Sequence, residues 1–178
     1  GKARVTDMAK RLGVSHVYAS SFLKARPGST HGYDIIDHNA LNPELGTPAE
    51  FDRFCAALQG HGMGLLLDFV PNHMGIGRAD NEWWQDLLEN GPASTLADFC
   101  DIDWHPPSEH LANRVLLPVL GDVYGAELSA GRLRLEFDAI AGMFAVRYFD
   151  HRLPVDPSQY PRVLAPAGAL RIRYDNVV

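Results

Sequence analysis

Nine residues, Leu65-Leu66-Leu67-Asp68-Phe69-Val70-Pro71-Asn72-His73, restrict what this chain can fold into more than any other stretch. Residues 65–70 are apolar apart from Asp68 and are bracketed by Gly64 and Pro71. A continuous apolar run of that length between turn residues predicts a strand buried on both faces, as in a parallel sheet. A carboxylate inside such a strand costs several kcal/mol unless it is paired. Asp68 therefore predicts a cationic or hydrogen-bonding partner, or a wet cavity near the strand's carboxyl end. Asn72 and His73 leave the strand at that same end, where ligands bind on open and closed parallel sheets.

The segments ahead of this strand supply the rest of an alternating pattern. Val5, Met8, Ala9 and Leu12 form one helical stripe over residues 2–12, closed by Gly13. Residues 14–19, with Val14, Val17 and Tyr18, favour a short strand. A helix, a glycine and a strand make the second half of a βαβ unit, so the chain opens as though a strand preceded it and Gly1 marks a fragment boundary. Residues 20–46 are rich in glycine, proline and asparagine and predict one long functional loop. Thr47-Pro48-Ala49-Glu50 is a capping box that starts a helix burying Phe51, Phe54, Cys55 and Leu58. Strands alternating with helical crossovers imply parallel pairing and an α/β architecture.

Beyond His73 the pattern changes. Residues 81–90 predict a short helix burying Trp84, Leu87 and Leu88 and stopped by Gly91, with Trp83 on another face. Residues 94–110 read as irregular, and residues 114–120 as a strand that Pro118 confines to an edge. Leu133, Leu135 and Phe137, then Phe144, Val146 and Tyr148, alternate with polar neighbours as in an antiparallel hairpin. The proline-rich residues 153–167 predict an extended linker, and residues 170–174 a further short strand.

Composition excludes several classes of function. A chain of 178 residues, 46% hydrophobic, buries a sizeable core. Its formal charge of −6, with no cluster of lysine and arginine, argues against a nucleic-acid partner and favours a neutral or cationic ligand. Two cysteines, Cys55 and Cys100, predict reduced core thiols and no disulfide framework. No apolar stretch is long enough for a membrane span, and no signal region opens the chain, so the expected location is cytoplasmic.

Three chemistries compete for the polar residues. A metal centre would draw on His31, Asp34, Asp37, His38 and His73, whose spacing matches no helical or cysteine-based ligand frame. Ser–His–Asp catalysis lacks a Gly-x-Ser-x-Gly elbow. A carbohydrate site needs carboxylates, histidine and asparagine for the hydroxyls and aromatic rings for the apolar sugar faces. Tyr33, Asp34, Asp68, Asn72 and His73 supply that set, with Trp83, Trp84 and Trp104 as outer candidates. Glycoside chemistry takes two carboxyl groups, and the residues by themselves nominate Asp68 and Asp34.

The segments His31-Gly32-Tyr33-Asp34, Leu45-Gly46-Thr47 and Asp68-Phe69-Val70-Pro71-Asn72-His73 resemble the α-amylase superfamily of glycoside hydrolases, the last being its first conserved region. Tyr18-Ala19-Ser20, Pro27-Gly28-Ser29-Thr30-His31-Gly32-Tyr33-Asp34, Asn42-Pro43-Glu44-Leu45-Gly46, Val70-Pro71-Asn72-His73-Met74-Gly75 and Arg152-Leu153-Pro154-Val155 resemble its trehalose-forming branch.

The resemblance implies part of a (β/α)₈ TIM barrel: residues 1–75 would carry the second and third strands with their helices. Residues 76–178 would begin a mixed α+β subdomain inserted after the third strand. A whole barrel takes about 250 residues, so the chain is expected to be a fragment, inactive alone. The implied enzyme is an intramolecular transglucosylase, a glucosylmutase acting on maltodextrins in trehalose biosynthesis. An α-amylase-type hydrolase is the nearest alternative, and a non-catalytic carbohydrate-binding or metal-binding domain a further one. Tyr33 would stack under the glucosyl unit at the cleavage point and His73 would bond its hydroxyls. Asp34 and His31 would fix the Tyr33 loop, and Asn72 would shape its own loop. Asp68 changes role, becoming a supporting carboxylate that orients an arginine beside the nucleophile. The nucleophile and the acid/base glutamate are expected on later strands, since no Arg-x-Asp followed by His occurs here. The segment from Met74 onward is the implied lid against water. No cofactor is expected; calcium, which the counterpart of Asn72 often binds in amylases, is the one metal the resemblance leaves open. The expected partner is a maltooligosaccharide, with no nucleic acid and no membrane.

Overall fold

The computed structural model describes residues 2–165. The chain divides into two compact units between Ile76 and Gly77.

The first unit opens with α1 (Lys2–Arg11), followed by β1 (His16–Ala19). The capping box forms as its residues predict: the Glu50 amide donates to Thr47 Oγ1 (3.3 Å), and the Thr47 amide to Glu50 Oε2 (2.9 Å). Such a cap contributes about 1 kcal/mol, and it starts α2 (Pro48–Gly60). After α2, β4 (Gly64–Leu67) pairs parallel with β1, Tyr18 standing opposite Leu66. The alternating, α/β reading therefore holds. Of the predicted α2 stripe only Leu58 is fully buried, Phe51, Phe54 and Cys55 being half-buried.

Two expectations for this unit are corrected. The apolar run is not buried on both faces: Leu66, Leu67 and Phe69 are 53%, 47% and 58% exposed, because β1 and β4 each have a single strand neighbour among the described residues. The region expected to be one long loop holds an antiparallel ribbon of β2 (Leu23–Ala25) and β3 (Ile35–Leu41), with register shifts on either side of Lys24. Ile35 and Ile36 enter the core with Ala25, Leu58 and Met63. Their burial outweighs the turn-forming residues around them.

The second unit holds α3 (Glu82–Asn90), capped by Asn81 Oδ1, which accepts from the Trp84 amide at 3.1 Å. Trp84 and Leu87 are buried as predicted and Leu88 is half-buried. Two 3₁₀ turns, Ala97–Phe99 and Glu109–Leu111, fall in the stretch read as irregular, a third, Gly91–Ala93, precedes it, and residues 114–120 form no strand. A short α4 (Tyr124–Ser129) follows, which the sequence reading did not include. The predicted hairpin is present as β5 (Arg134–Asp138) and β6 (Met143–Tyr148). The expected linker is corrected: it starts within β7 (His151–Pro154), which pairs antiparallel with β6, and then coils into α5 (Tyr160–Leu164). Pro154 sits at the last position of β7, an edge strand among the described residues, where its missing N–H costs no ladder bond. The strand predicted over residues 170–174 lies outside the described residues.

Candidate functional site

At the carboxyl ends of β1 and β4 the first unit gathers tyrosine, aspartate and histidine side chains. The ladder runs one bond past β4, the Asp68 amide donating to the Ala19 carbonyl at 2.9 Å. Leu66 and Asp68 share a face because strand side chains repeat every two residues. Leu66 is also the register partner of Tyr18. The pairing thus brings the Tyr18 hydroxyl to Asp68, and it donates to Oδ2 at 2.6 Å. The Tyr33 hydroxyl, arriving from the β2–β3 connection, donates to the same oxygen at 2.7 Å.

The partner that Asp68 was argued to need is therefore a pair of tyrosine hydroxyls. Hydrogen bonds to an ionised carboxylate favour the charged form. The bonds from Tyr18 and then Tyr33 hold Asp68 below the usual carboxylate range, outweighing the opposing effect of desolvation. In return, donation to Asp68 raises both tyrosines above their ordinary value of 10.0, a hydrogen bond with Ser20 working the other way at Tyr33.

The loop carrying Tyr33 is tied down locally. Ser29 Oγ donates to Asp34 Oδ1, and the Gly32 amide donates to Ser29 Oγ at 3.0 Å. The Tyr33 amide donates to His31 Nδ1 at 3.0 Å, and the two rings stack with centroids 6.0 Å apart. Because Nδ1 is occupied as an acceptor, its 3.9 Å separation from Asp34 Oδ1 is a near contact and not an ion pair. Gly32 has φ +79° and a Cβ there would stand 2.9 Å from the Ser21 carbonyl oxygen, so only glycine fits the turn.

His73 reaches back to this loop, Nε2 lying 3.1 Å from the Tyr33 carbonyl. A carbonyl only accepts, so the proton is on Nε2 and Nδ1 is left for another partner. The segment is held in place by Gly75, whose amide donates to the Ile35 carbonyl at 2.7 Å. His38, by contrast, turns its Nε2 to the Val70 carbonyl (3.2 Å) and its ring edge-on to Phe69. Asp37 accepts from the Asn39 amide.

The structure thus brings together Tyr33, Asp34, His31, Asp68 and His73 among the predicted site residues. Asn72 is exposed on the same segment as His73. As a metal centre the set His31, Asp34, Asp37, His38 and His73 does not assemble: no group of three or more His, Cys, Asp or Glu able to hold a metal ion forms among the described residues. Of the outer candidates, Trp84 is core and Trp83 meets Phe99 edge-on at 5.3 Å, while Trp104 is half-buried. All three belong to the second unit. Tyr18 and Ser29 are the participants that the choice of site residues omitted; the β1–β4 register was the signal for Tyr18.

An apolar cavity of about 240 Å³, lined by Phe22, Leu41, Leu45, Phe51 and Phe54 among others, lies elsewhere in the first unit and contains none of these groups. Phe22 and Phe51 stack within it at 5.4 Å. Its lining has little to offer a polar ligand. No helix among the described residues is long and apolar enough to cross a membrane.

Comparison with known proteins gives a consistent result. The sequence pattern of the alpha-amylase catalytic domain matches residues 5–154. A Mycobacterium tuberculosis protein provisionally named a maltooligosyl trehalose synthase is 41% identical over 152 residues, covering 85% of this chain and 18% of that protein. An intracellular maltogenic amylase of Bacillus subtilis is 32% identical over 103 residues, 58% of this chain and 17% of that protein. The structure of maltooligosyltrehalose synthase from Arthrobacter ramosus superposes with a TM-score of 0.74 at 36% identity, covering 89% of this chain and 19% of that one. The chain spans about a fifth of the length of these relatives.

Proposed function

The chain belongs to the alpha-amylase family as part of its catalytic domain, a mixed α/β piece of a TIM-barrel-type fold, and from that premise we propose that it is a segment of a trehalose-forming transglucosylase. The observation that carries this reading is the 41% identity to a protein named for that activity, maintained over 152 residues. In the proposed barrel, β1 and β4 are the second and third strands, and the unit from Gly77 onward is the subdomain inserted after the third.

The reaction on this reading is an (1→4)-α-glucan 1-α-glucosylmutase step. The α-1,4 bond to the reducing-end glucose of a maltodextrin breaks as an enzyme carboxylate attacks the anomeric carbon of the neighbouring sugar. An acid protonates the leaving oxygen. The freed glucose then attacks the same carbon through its own anomeric hydroxyl, leaving an α-1,1 trehalose terminus. Two displacements retain configuration at the attacked carbon. The reacting carboxylates are assigned to barrel strands outside this chain.

This chain's residues do the holding. The Tyr33 ring forms the platform for the sugar at the cleavage point, while the contacts of Ser29, His31 and Asp34 keep that platform in place. His73, with Nε2 committed to the Tyr33 carbonyl, offers Nδ1 to a sugar hydroxyl. Asp68 keeps its charge under two hydroxyl donors and orients an arginine beside the nucleophile.

A hydrolase of the α-amylase type is the second reading, favoured by the Bacillus subtilis maltogenic amylase match. Incubating the full-length protein with maltopentaose separates the two. Non-reducing, trehalose-capped product is expected; new reducing ends with no capped product would replace the mutase reading by the hydrolase one.

A further inference from the structure

Tyr18 is 65% exposed among the described residues, and what fixes its hydroxyl there is the bond to Asp68 Oδ2. Its position is set by regular structure. It lies within β1, opposite Leu66 in the β1–β4 ladder, and the next ladder bond joins Ala19 to the Asp68 amide. Tyr18 and Asp68 are therefore held by the sheet itself. Tyr33 has no such anchor, since it stands in the connection between β2 and β3. Its ring is steered by the loop contacts and by its hydroxyl's bond to Asp68 Oδ2. A carboxylate held by a single donor can still turn about its Cβ–Cγ bond. Two donors converging on one oxygen restrict that rotation, and among the described residues Oδ1 takes no hydrogen bond.

We propose that Tyr18 is a positioning residue: by sharing Asp68 Oδ2 with Tyr33 it transmits the fixed geometry of the β1–β4 ladder to the Tyr33 ring and leaves Oδ1 as the acceptor for a cationic partner. The order of constraint runs from sheet to Tyr18 and Asp68, and from them to Tyr33. The consequence for turnover rests on the carbohydrate reading given above, whereas the coupling among the three side chains does not.

The test uses the full-length protein carrying Tyr18→Phe, Asp68→Ala, and both changes together. Removing one hydroxyl bond to a charged group is expected to lower kcat/KM for maltopentaose about tenfold. The acid limb of the pH–rate profile should also move to higher pH, because Asp68 loses a donor that favours its charged form; a role in packing alone would leave the limb in place. In the Asp68→Ala background, Tyr18→Phe should cost nothing further. Losses that multiply, or an acid limb that stays put, overturn the proposal. If Asp68→Ala does not fold, Tyr33→Phe takes its place in the cycle, and the Tyr18→Phe loss should shrink there too. If the unaltered protein does not convert maltopentaose, the carbohydrate reading fails by itself. Melting temperatures of the same four proteins then decide the matter: non-additive shifts support the coupling, and additive shifts overturn it.

Discussion

Several carboxylates in the two units find different partners, Asp7 of the first unit, 3.1 Å from His61 Nε2, standing apart from the comparison. In the first, Asp68 is bonded by two tyrosine hydroxyls and Asp34 by a serine hydroxyl. In the second, Glu127 pairs with Arg132, Glu136 with Arg147 at 3.3 Å, Asp138 with Arg152 at 3.5 Å and Asp150 with Arg78 at 3.3 Å. Asp86 departs from this pattern, with Ser94 and Asn90 as its donors, yet it only ties the end of α3 to the next turn. An arginine cancels the charge it binds. A hydroxyl leaves the charge intact and only aims it. The contrast separates charges neutralised by an arginine from charges left intact under hydroxyl donors.

The sharpest way to break this contrast is to remove one carboxylate of each kind. In the full-length protein Asp68→Ala should cut turnover of maltopentaose on the order of a hundredfold, the scale of misplaced positioning groups. Glu136→Ala should leave it within about twofold, since exposed ion pairs contribute little. Equal losses in the two variants would erase the distinction. The pH dependence has a definite sign. A carboxyl whose folded value is lowered contributes fully above its ordinary range, and that contribution is lost as pH falls through the lowered value. The raised tyrosines contribute below about 10, and theirs is lost as pH rises through the raised values. The cluster therefore stays intact across a window wider than that of an isolated aspartate and tyrosine, which thermal melts of wild type and Asp68→Ala across pH can delimit.

Smaller effects test whether the two units share the same kind of core. Leu58 and Leu87 are 2% and 1% exposed. Leu58→Ala and Leu87→Ala should each cost about 2–5 kcal/mol in denaturant unfolding. A marked excess for Leu58 would indicate that the crossover helix α2 also sets the β1–β4 register. Gly32→Ala should cost about 1–3 kcal/mol, from its left-handed backbone and the close Ser21 carbonyl. It should also weaken maltooligosaccharide binding by displacing Tyr33, as calorimetry would show.

The same contrast explains what could be read from the chain before its structure. The capped α2, the parallel alternation and the β5–β6 hairpin follow from local rules: a capping box, a helical stripe and a two-residue period. The ribbon of β2 and β3 does not, because Asp37-His38-Asn39 interrupts the apolar period of β3 and the pairing with β2 slips twice. β7 was hidden by Pro154, and α4 by its brevity. For the site, Tyr33, Asp34, Asp68 and His73 were legible from residue type and family resemblance. What stayed hidden was a matter of register: Tyr18 and Asp68 are fifty positions apart, and only the pairing of Tyr18 with Leu66 makes them neighbours. The burial expected of residues 65–70 describes a strand with neighbours on both sides, which β4 does not have among the described residues.

The ribbon between β1 and α2 has a practical corollary for protein engineering. It leaves the parallel pair after Ala19 and rejoins the crossover before Thr47, so it can be regarded as a cassette spliced between two fixed points. Only its tip can change, because Ala25, Ile35 and Ile36 belong to the core of the first unit. A designer wishing to retarget the proposed sugar platform would exchange residues between Ala25 and Ile35 while keeping those two core positions, and would retain a tyrosine at the place where its hydroxyl meets Asp68 as the key that seats the new piece.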